Sequence, residues 1–415
     1  MLALPRYSLI GIILAFPLLA PIAAQADEAL LTLTHAESLA QTHAPWLAHH
    51  RTNASAAAER AAYAGRLPDP QLVLGALNVP TDTWKLDQED MTMTMVGLRQ
   101  SFPPGDTLAL RNQRAQKELT REEAKIEAER RNLLKQVRQA WLELYFQEES
   151  LRRLQDLRLL QQKQLQAAEG RSRAAADMQQ VVIRAHQAVA RVNEREPMLK
   201  AQIARTRAQL RRWIGTASAL PLPAALPVLP VPASEFDAAR HPEWLASEAM
   251  LEGARLEVDM ARQDYKPAWM LDLSYGLRRP MADGTERPNM ATAMVTLDLP
   301  VFRAKRQDRR LAEKQAMESG ARFESEDKRR ELEAMYQSMR AEYDALAERA
   351  KIFDEQLLPA MRREAQKTIA GFARDQTEFR DAQMKVLDTE LEYTRVRVDL
   401  AKTQAELLYL TGEQP

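Results

Sequence analysis

Cysteine is absent from all 415 residues, which excludes disulfides, thiolate metal sites and a cysteine nucleophile. Glycine numbers only 13 and aromatics make up 6%. Helical bundles tolerate so little glycine, whereas glycine-cradled nucleotide sites do not. Neither sign of charge is in excess: 58 Lys plus Arg face 58 Asp plus Glu, so nothing is left over to neutralise phosphates and no nucleic-acid partner is expected. No H-E-x-x-H, G-x-S-x-G or P-loop string occurs. The six histidines are His35, His43, His49, His50, His186 and His241; only His49 and His50 adjoin, and adjacent helical residues point apart. An enzyme is therefore not expected, and neither is a bound cofactor. Beyond residue 26 no uncharged run could form a membrane-spanning helix, since the longest, 213–234, is broken by five prolines, so any insertion into a bilayer must use strands.

What is present starts with an address. Arg6 precedes an uncharged stretch, 7–26, whose apolar centre runs over 9–20 and which ends in Ala24-Gln25-Ala26, the small-x-small pattern of signal-peptide cleavage. Residues 1–26 read as a signal peptide, with the mature chain starting near Asp27. Pro17 and Pro21 would interrupt a retained anchor helix already short for a span. No Cys follows, so lipidation there is excluded.

The rest is written twice. HAPWLAHH from His43 aligns with HPEWLASE from His241, placing Trp46 on Trp244 at a shift of 198. MTMTMVGLRQSF aligns with MATAMVTLDLPVF at a shift of 199, placing Met91 on Met290, Met95 on Met294 and Leu98 on Leu297. Leu72 and Leu74 meet Leu271 and Leu273, and RRWIG ending at Gly215 resembles LYLTG ending at Gly412. A near-constant shift over such different segments indicates duplication. The expected organisation is a first repeat over 27–219, a Pro-rich linker over 220–232 and a second repeat over 233–415. The linker's proline density favours an extended polyproline segment, about 40 Å long at full reach.

Each copy reads as helix, strand, loop, strand, very long helix, reversal and second long helix. Residues 107–169 contain neither Gly nor Pro. As one helix they would measure about 95 Å. Leu119, Ile126, Leu133 and Ala140 recur every seven residues, as do Val137, Leu144 and Leu151, with charged residues and Gln between them: a coiled-coil seam. Gly170 and Gly371 mark the reversals, and Pro197 and Pro359 are expected to kink their helices.

The strands alternate. Trp269, Leu271, Leu273, Tyr275 and Leu277 share one parity, and Met270, Asp272, Ser274 and Gly276 the other. Ala291, Ala293, Val295 and Leu297 alternate likewise with Met290, Thr292, Met294 and Thr296, over about the 9 to 11 residues of a tilted transmembrane strand. The first copy is less regular, because Thr92 and Thr94 occupy its outward parity. Four such strands cannot close a barrel, and open edges cannot face lipid. Several chains must join.

In this order, duplicated at a fixed shift, the strings HAPWL and HPEWL, RQSFPPGD and LDLPVFRAKR before long helices, GFARDQTEFRDAQ at a hairpin tip and the closing LLYLTG resemble the TolC family of outer-membrane efflux channels. The resemblance covers essentially the whole mature chain. It implies a mainly α fold with a small β part: two repeats of coiled-coil hairpins and four transmembrane strands per chain. A homotrimer would then form a twelve-stranded barrel in outer-membrane lipid and an α-helical tunnel in the periplasm. It also implies a periplasmic adaptor and an inner-membrane pump of the RND type as partners, with this chain as their passive exit duct. LPDPQLVLGALNVP and QEDMTMTMVGLRQSFP look most similar to the heavy-metal branch, which implies heavy-metal cations as cargo. A periplasmic coiled-coil scaffold or pump adaptor is the competing reading. It too would show heptads, but adaptors carry one hairpin between β-rich modules.

Three sets of candidate residues follow. Strand parity turns Met270, Met290 and Met294 inward, and the repeat shift brings Met91, Met93 and Met95 to the same side: six soft thioethers suited to passing contact with Cu(I) or Ag(I), or else flexible apolar filler. Arg171, Arg173, Arg374 and Asp375 sit at the two reversals, where an adaptor would make contact. Glu378 and Asp381 stand three apart on one helix face, and the resemblance places them at the tunnel entrance, where threefold symmetry would make two acidic rings; the plain alternative is a solvated coiled-coil face.

Overall fold

Long uninterrupted runs of good helix formers make helices the dominant element of the computed structural model, which describes residues 30–172, 179–370 and 376–412. Two short helices, α1 (Leu33–His43) and α2 (Pro45–Tyr63), lead into strands β1 (Gln71–Leu77) and β2 (Met93–Phe102). Then come α3 (Thr107–Ser172) and the returning α4 (Gln179–Ile214). The same order recurs: α5 (Pro242–Gln263), β3 (Ala268–Leu277), β4 (Met290–Asp298), α6 (Gln307–Ile352), α7 (Leu358–Ala370) and α8 (Gln376–Thr411). With 66 residues α3 is about 100 Å long.

Capping chemistry sets the boundaries. The Thr32 hydroxyl accepts from the His35 amide at 3.2 Å to start α1, and His241 does the same for α5, its Nδ1 accepting from the Glu243 amide at 3.3 Å ahead of Pro242. α4 and α8 both end on a glycine in the left-handed region, Gly215 at φ 62° and Gly412 at φ 78°, where a side chain would be strained. The two internal prolines behave differently. Pro359 cannot donate to the preceding turn, and α6 passes into α7 through a π turn at Phe353–Leu357. α4 runs continuously through Pro197.

The heptad seam is fully buried only at mid-length. Leu133, Val137, Trp141 and Leu144 have no exposed surface, whereas Leu119, Ile126 and Leu151 are half-covered. Trp141 centres this core, its indole N–H donating to the Leu31 carbonyl at 2.9 Å. The Pro-rich stretch 220–232 does not hang free. Prolines donate no hydrogen bond but leave carbonyls to accept: the Leu31 amide reaches Pro221, Tyr145 Oη reaches Ala224, and the Gln404 amide reaches Leu229 and Pro230. The stretch thus straps the segment ahead of α1 to α3 and α8. Further along, Glu143 of α3 bonds to Lys402 and Arg395 of α8. Burial works to raise its carboxyl's pKa, but these two cations outweigh it and hold the group below the usual range.

The second half has its own small core of Ala238, Leu332, Tyr409 and Leu410. His241 lies beside it, 1% exposed, with the rings of Phe236 and Tyr409 edge-on to it. Tyr409 donates to Glu243 Oε1 at 2.5 Å, and burial together with that carboxylate keeps its phenol protonated far above the usual range.

Candidate channel-forming site

The four strands form one antiparallel sheet in the order β1-β2-β3-β4. β1 and β4 are its edges, and neither has an outer partner among the described residues. Register follows a strict two-residue alternation, so each row across the sheet lies on one face. Leu72, Leu98, Leu273 and Ala293 form one such row, and Leu74, Val96, Tyr275 and Ala291 the next. Phe102 and Trp269 close this face at the helix-proximal end, their rings stacked at 3.8 Å. Leu72, Leu74, Leu98, Leu273, Val295 and Leu297 remain 50–70% exposed, an apolar expanse that water does not favour. Thr94 also lies on this face, opposite Ala76 and Leu277. Thr92 does not: it precedes the strand and is fully buried, its hydroxyl donating to the Asn78 carbonyl at 2.6 Å.

The opposite face is polar. Gln71, Arg99, Asp272 and Met294 form one row, and Ser101, Met270 and Thr296 another. Arg99 Nε donates to Asp272 Oδ1 at 2.7 Å across β2 and β3. The repeat and the alternation carry no trace of this pair, because cross-strand register is needed to see it. Gly97 permits the close approach of those two strands: a Cβ there would stand 2.8 Å from both the Leu273 carbonyl oxygen and the Ser274 side chain.

Five of the candidate methionines, Met93, Met95, Met270, Met290 and Met294, fall on this polar face. Met91 does not belong with them. β2 begins at Met93, so Met91 stays in the preceding turn, half-exposed, with its carbonyl accepting from Asn78 Nδ2. The repeat shift led to Met290 because it assumes strands that start at equivalent positions, and the turn that ends at Thr92 makes β2 start two residues later than β4 under that shift.

The loops at the far end of the sheet are pinned by arginines. Arg287, 6% exposed, donates from Nε to the Arg279 carbonyl at 2.6 Å and from Nη1 to the Glu89 carbonyl at 2.5 Å, locking the β3–β4 loop onto the β1–β2 loop. Arg278 binds Asp90 Oδ1 at 2.7 Å.

At the opposite end of the helices, Arg171 belongs to the last turn of α3 and Glu378 and Asp381 to the first turns of α8, three residues apart on one helix. The side chains of these three lie outside the described residues, as do Arg173, Arg374 and Asp375 altogether. No cluster of three or more His, Cys, Asp or Glu suited to a metal ion occurs among the described residues. No helix among them is long and apolar enough to cross a membrane.

No family model matches the chain, and no curated protein does. Solved structures do match. CusC, described for its folding and transmembrane channel formation, superposes with a TM-score of 0.76 at 14% identity over 99% of each chain. The open-state MtrE outer membrane channel of Neisseria gonorrhoeae gives 0.76 at 16% identity, over 92% of this chain and 89% of that one. The outer membrane protein VceC of Vibrio cholerae gives 0.74 at 16% identity, over 92% and 96%. The chain therefore has the TolC-like fold, mostly helical with a small antiparallel sheet, as the sequence resemblance implies.

Proposed function

We propose that this chain is the outer-membrane exit duct of a tripartite efflux system, a passive conduit rather than an enzyme. The observation that carries the reading is the sheet: one broad apolar face, one polar face, and two unpaired edges. Backbone groups on an open edge have no partner in lipid, so β4 of one chain must pair with β1 of the next. Three chains give twelve antiparallel strands, wide enough for a lumen. The apolar face then meets lipid, with Phe102 and Trp269 at the periplasmic boundary. A soluble scaffold has no use for the apolar sheet, and this disfavours the scaffold reading.

In this reading the mature chain starts near Asp27 after export, and 27–219 and 233–415 are the two repeats, with 220–232 strapped between them. The hairpin ends lie about 100 Å of helix away from the barrel. There Arg171, Arg173, Arg374 and Asp375 are the contacts for a periplasmic adaptor serving an inner-membrane RND-type pump. Glu378 and Asp381 become two acidic rings at the entrance and favour cations. The cargo we infer is a heavy-metal cation, on the likeness of the two strand segments to that branch.

Urea extraction of membranes, followed by light scattering of the detergent-solubilised protein, tests the duct. Retention in outer-membrane vesicles and a mass of about three chains are expected. Release by urea, or a stable monomer, refutes it.

A further inference from the structure

The junctions between strands and helices carry a charge imbalance that the chain as a whole does not. A cleft of about 840 Å³ opens there, between the last turns of α2 and α5 and the first turns of α3 and α6. Five arginines line it against three carboxylates, Asp69, Glu257 and Asp264. Two of the five are neutralised: Arg114 pairs with Glu257 at 2.5 Å and Arg310 with Asp264 at 2.8 Å. The guanidinium groups of Arg60, Arg66 and Arg111 have no partner among the described residues, and only Asp69 is left to offset them. Tyr63 and Leu67, both exposed, add apolar surface to the same wall. Pro68, also in the wall, places the cleft at the margin of the apolar sheet face. Gln100 lies on that face opposite Leu271, and its Nε2 donates to the Pro68 carbonyl at 2.8 Å. On the β4 side the same margin runs through Leu299, Val301 and Phe302, 69–77% exposed, into the exposed cations Arg303, Lys305 and Arg306.

We propose that this cleft binds the headgroup of an anionic phospholipid, with Arg60, Arg66 and Arg111 holding its phosphodiester. A guanidinium fork matches a pair of phosphate oxygens, and its charge is the one that an anion needs. Once the ion pairs are formed, the wall keeps a surplus of two positive charges. Free phosphate would satisfy the arginines alone. Tyr63, Leu67 and the exposed run 299–302 call for hydrocarbon beside the anion, and a lipid supplies both in one molecule. Cations set just beyond an apolar surface stand where the phosphates of a bilayer lie. The site rests on the channel reading for the membrane that provides the lipid. It goes beyond that reading in giving the sheet a charge-held anchor at its helix-proximal margin, which sets the depth at which the strands sit.

Isothermal titration of the full chain, solubilised in a non-ionic detergent at low salt, tests the site with short-chain phosphatidylglycerol and phosphatidylcholine. Each surplus charge near a membrane surface is worth about fivefold, so the wild type should bind phosphatidylglycerol roughly 25-fold more tightly than phosphatidylcholine. Replacing the three arginines, Arg60→Gln, Arg66→Gln and Arg111→Gln, abolishes the preference. The same charge change at exposed arginines elsewhere, Arg51→Gln, Arg184→Gln and Arg211→Gln, leaves it intact. If the cleft variant does not assemble, Arg111→Gln alone decides the matter, with a loss of about fivefold. Inorganic phosphate, titrated separately, should bind at least about tenfold more weakly than phosphatidylglycerol, because it leaves the apolar wall unfilled. Equal affinity for the two lipids, an unchanged preference in the cleft variant or in Arg111→Gln, equal loss in the remote variant, or phosphate binding as tight as the lipid each overturns the site. Mass and urea resistance measured on the same samples separate such a failure from failure of the channel reading.

Discussion

His241 makes the stability of the second half depend on pH in a calculable way. Its ring is buried, and its Nδ1 accepts from the Glu243 amide and so is unprotonated. Burial lowers its pKa from 6.5 to about 4; the Glu243 carboxylate partly offsets this, while Arg131 and Lys328 add to it. The folded-state value lies below the unfolded one, so as pH falls the unfolded chain takes up the proton first. Stability is complete above pH 6.5 and is lost between about 6.5 and 4. At pH 5 the loss is about 2 kcal/mol per chain, rising to roughly 3 kcal/mol below pH 4. His241→Asn keeps an acceptor for the Glu243 amide but does not titrate. In chemical denaturation followed by helical circular dichroism, wild type and variant are compared at pH 7.5 and pH 5. The wild type should lose about 2 kcal/mol more than the variant over that interval. Parallel losses would show that the ring is not the neutral, desolvated group described above, and the reasoning fails.

Two further outcomes follow from the sheet and the hairpin ends. Leu273→Arg on the apolar face should cost about 2–4 kcal/mol and deplete the proposed trimer in membranes, whereas Thr292→Lys, on the polar face one row away, should assemble normally; equal assembly of the two would contradict the assignment of faces. Glu378→Gln with Asp381→Asn should reduce cation selectivity in planar-bilayer conductance without changing assembly, and unaltered selectivity argues for a plain solvated helix face.

Much of this architecture is local and therefore visible in the chain itself. A 63-residue stretch without Gly or Pro can hardly be anything but a long helix, and period-two alternation around Leu273 or Val295 assigns each side chain to a face before any partner strand is known. Gly215 and Gly412 mark helix ends because few other residues tolerate the conformation that a helix exit requires. Other features depend on what meets what. Met91 is equivalent to Met290 by the repeat shift, but the Asn78–Thr92 turn, a contact between residues 14 apart, delays the start of its strand to Met93. Arg99 and Asp272 are 173 positions apart and become an ion pair only through the β2–β3 register. The Pro-rich stretch reads as a spacer from composition, yet carbonyls freed by its prolines make it a strap, because donors from Leu31 and from two distant helices happen to reach them. Gly276 looks like one more small residue on a polar strand face, and only the strand register sets it between Met95 and Met290 with the Met93 sulfur lying across it. Periodicity is a property of one segment and survives in sequence; register is a relation between segments, and three-dimensional packing alone decides it.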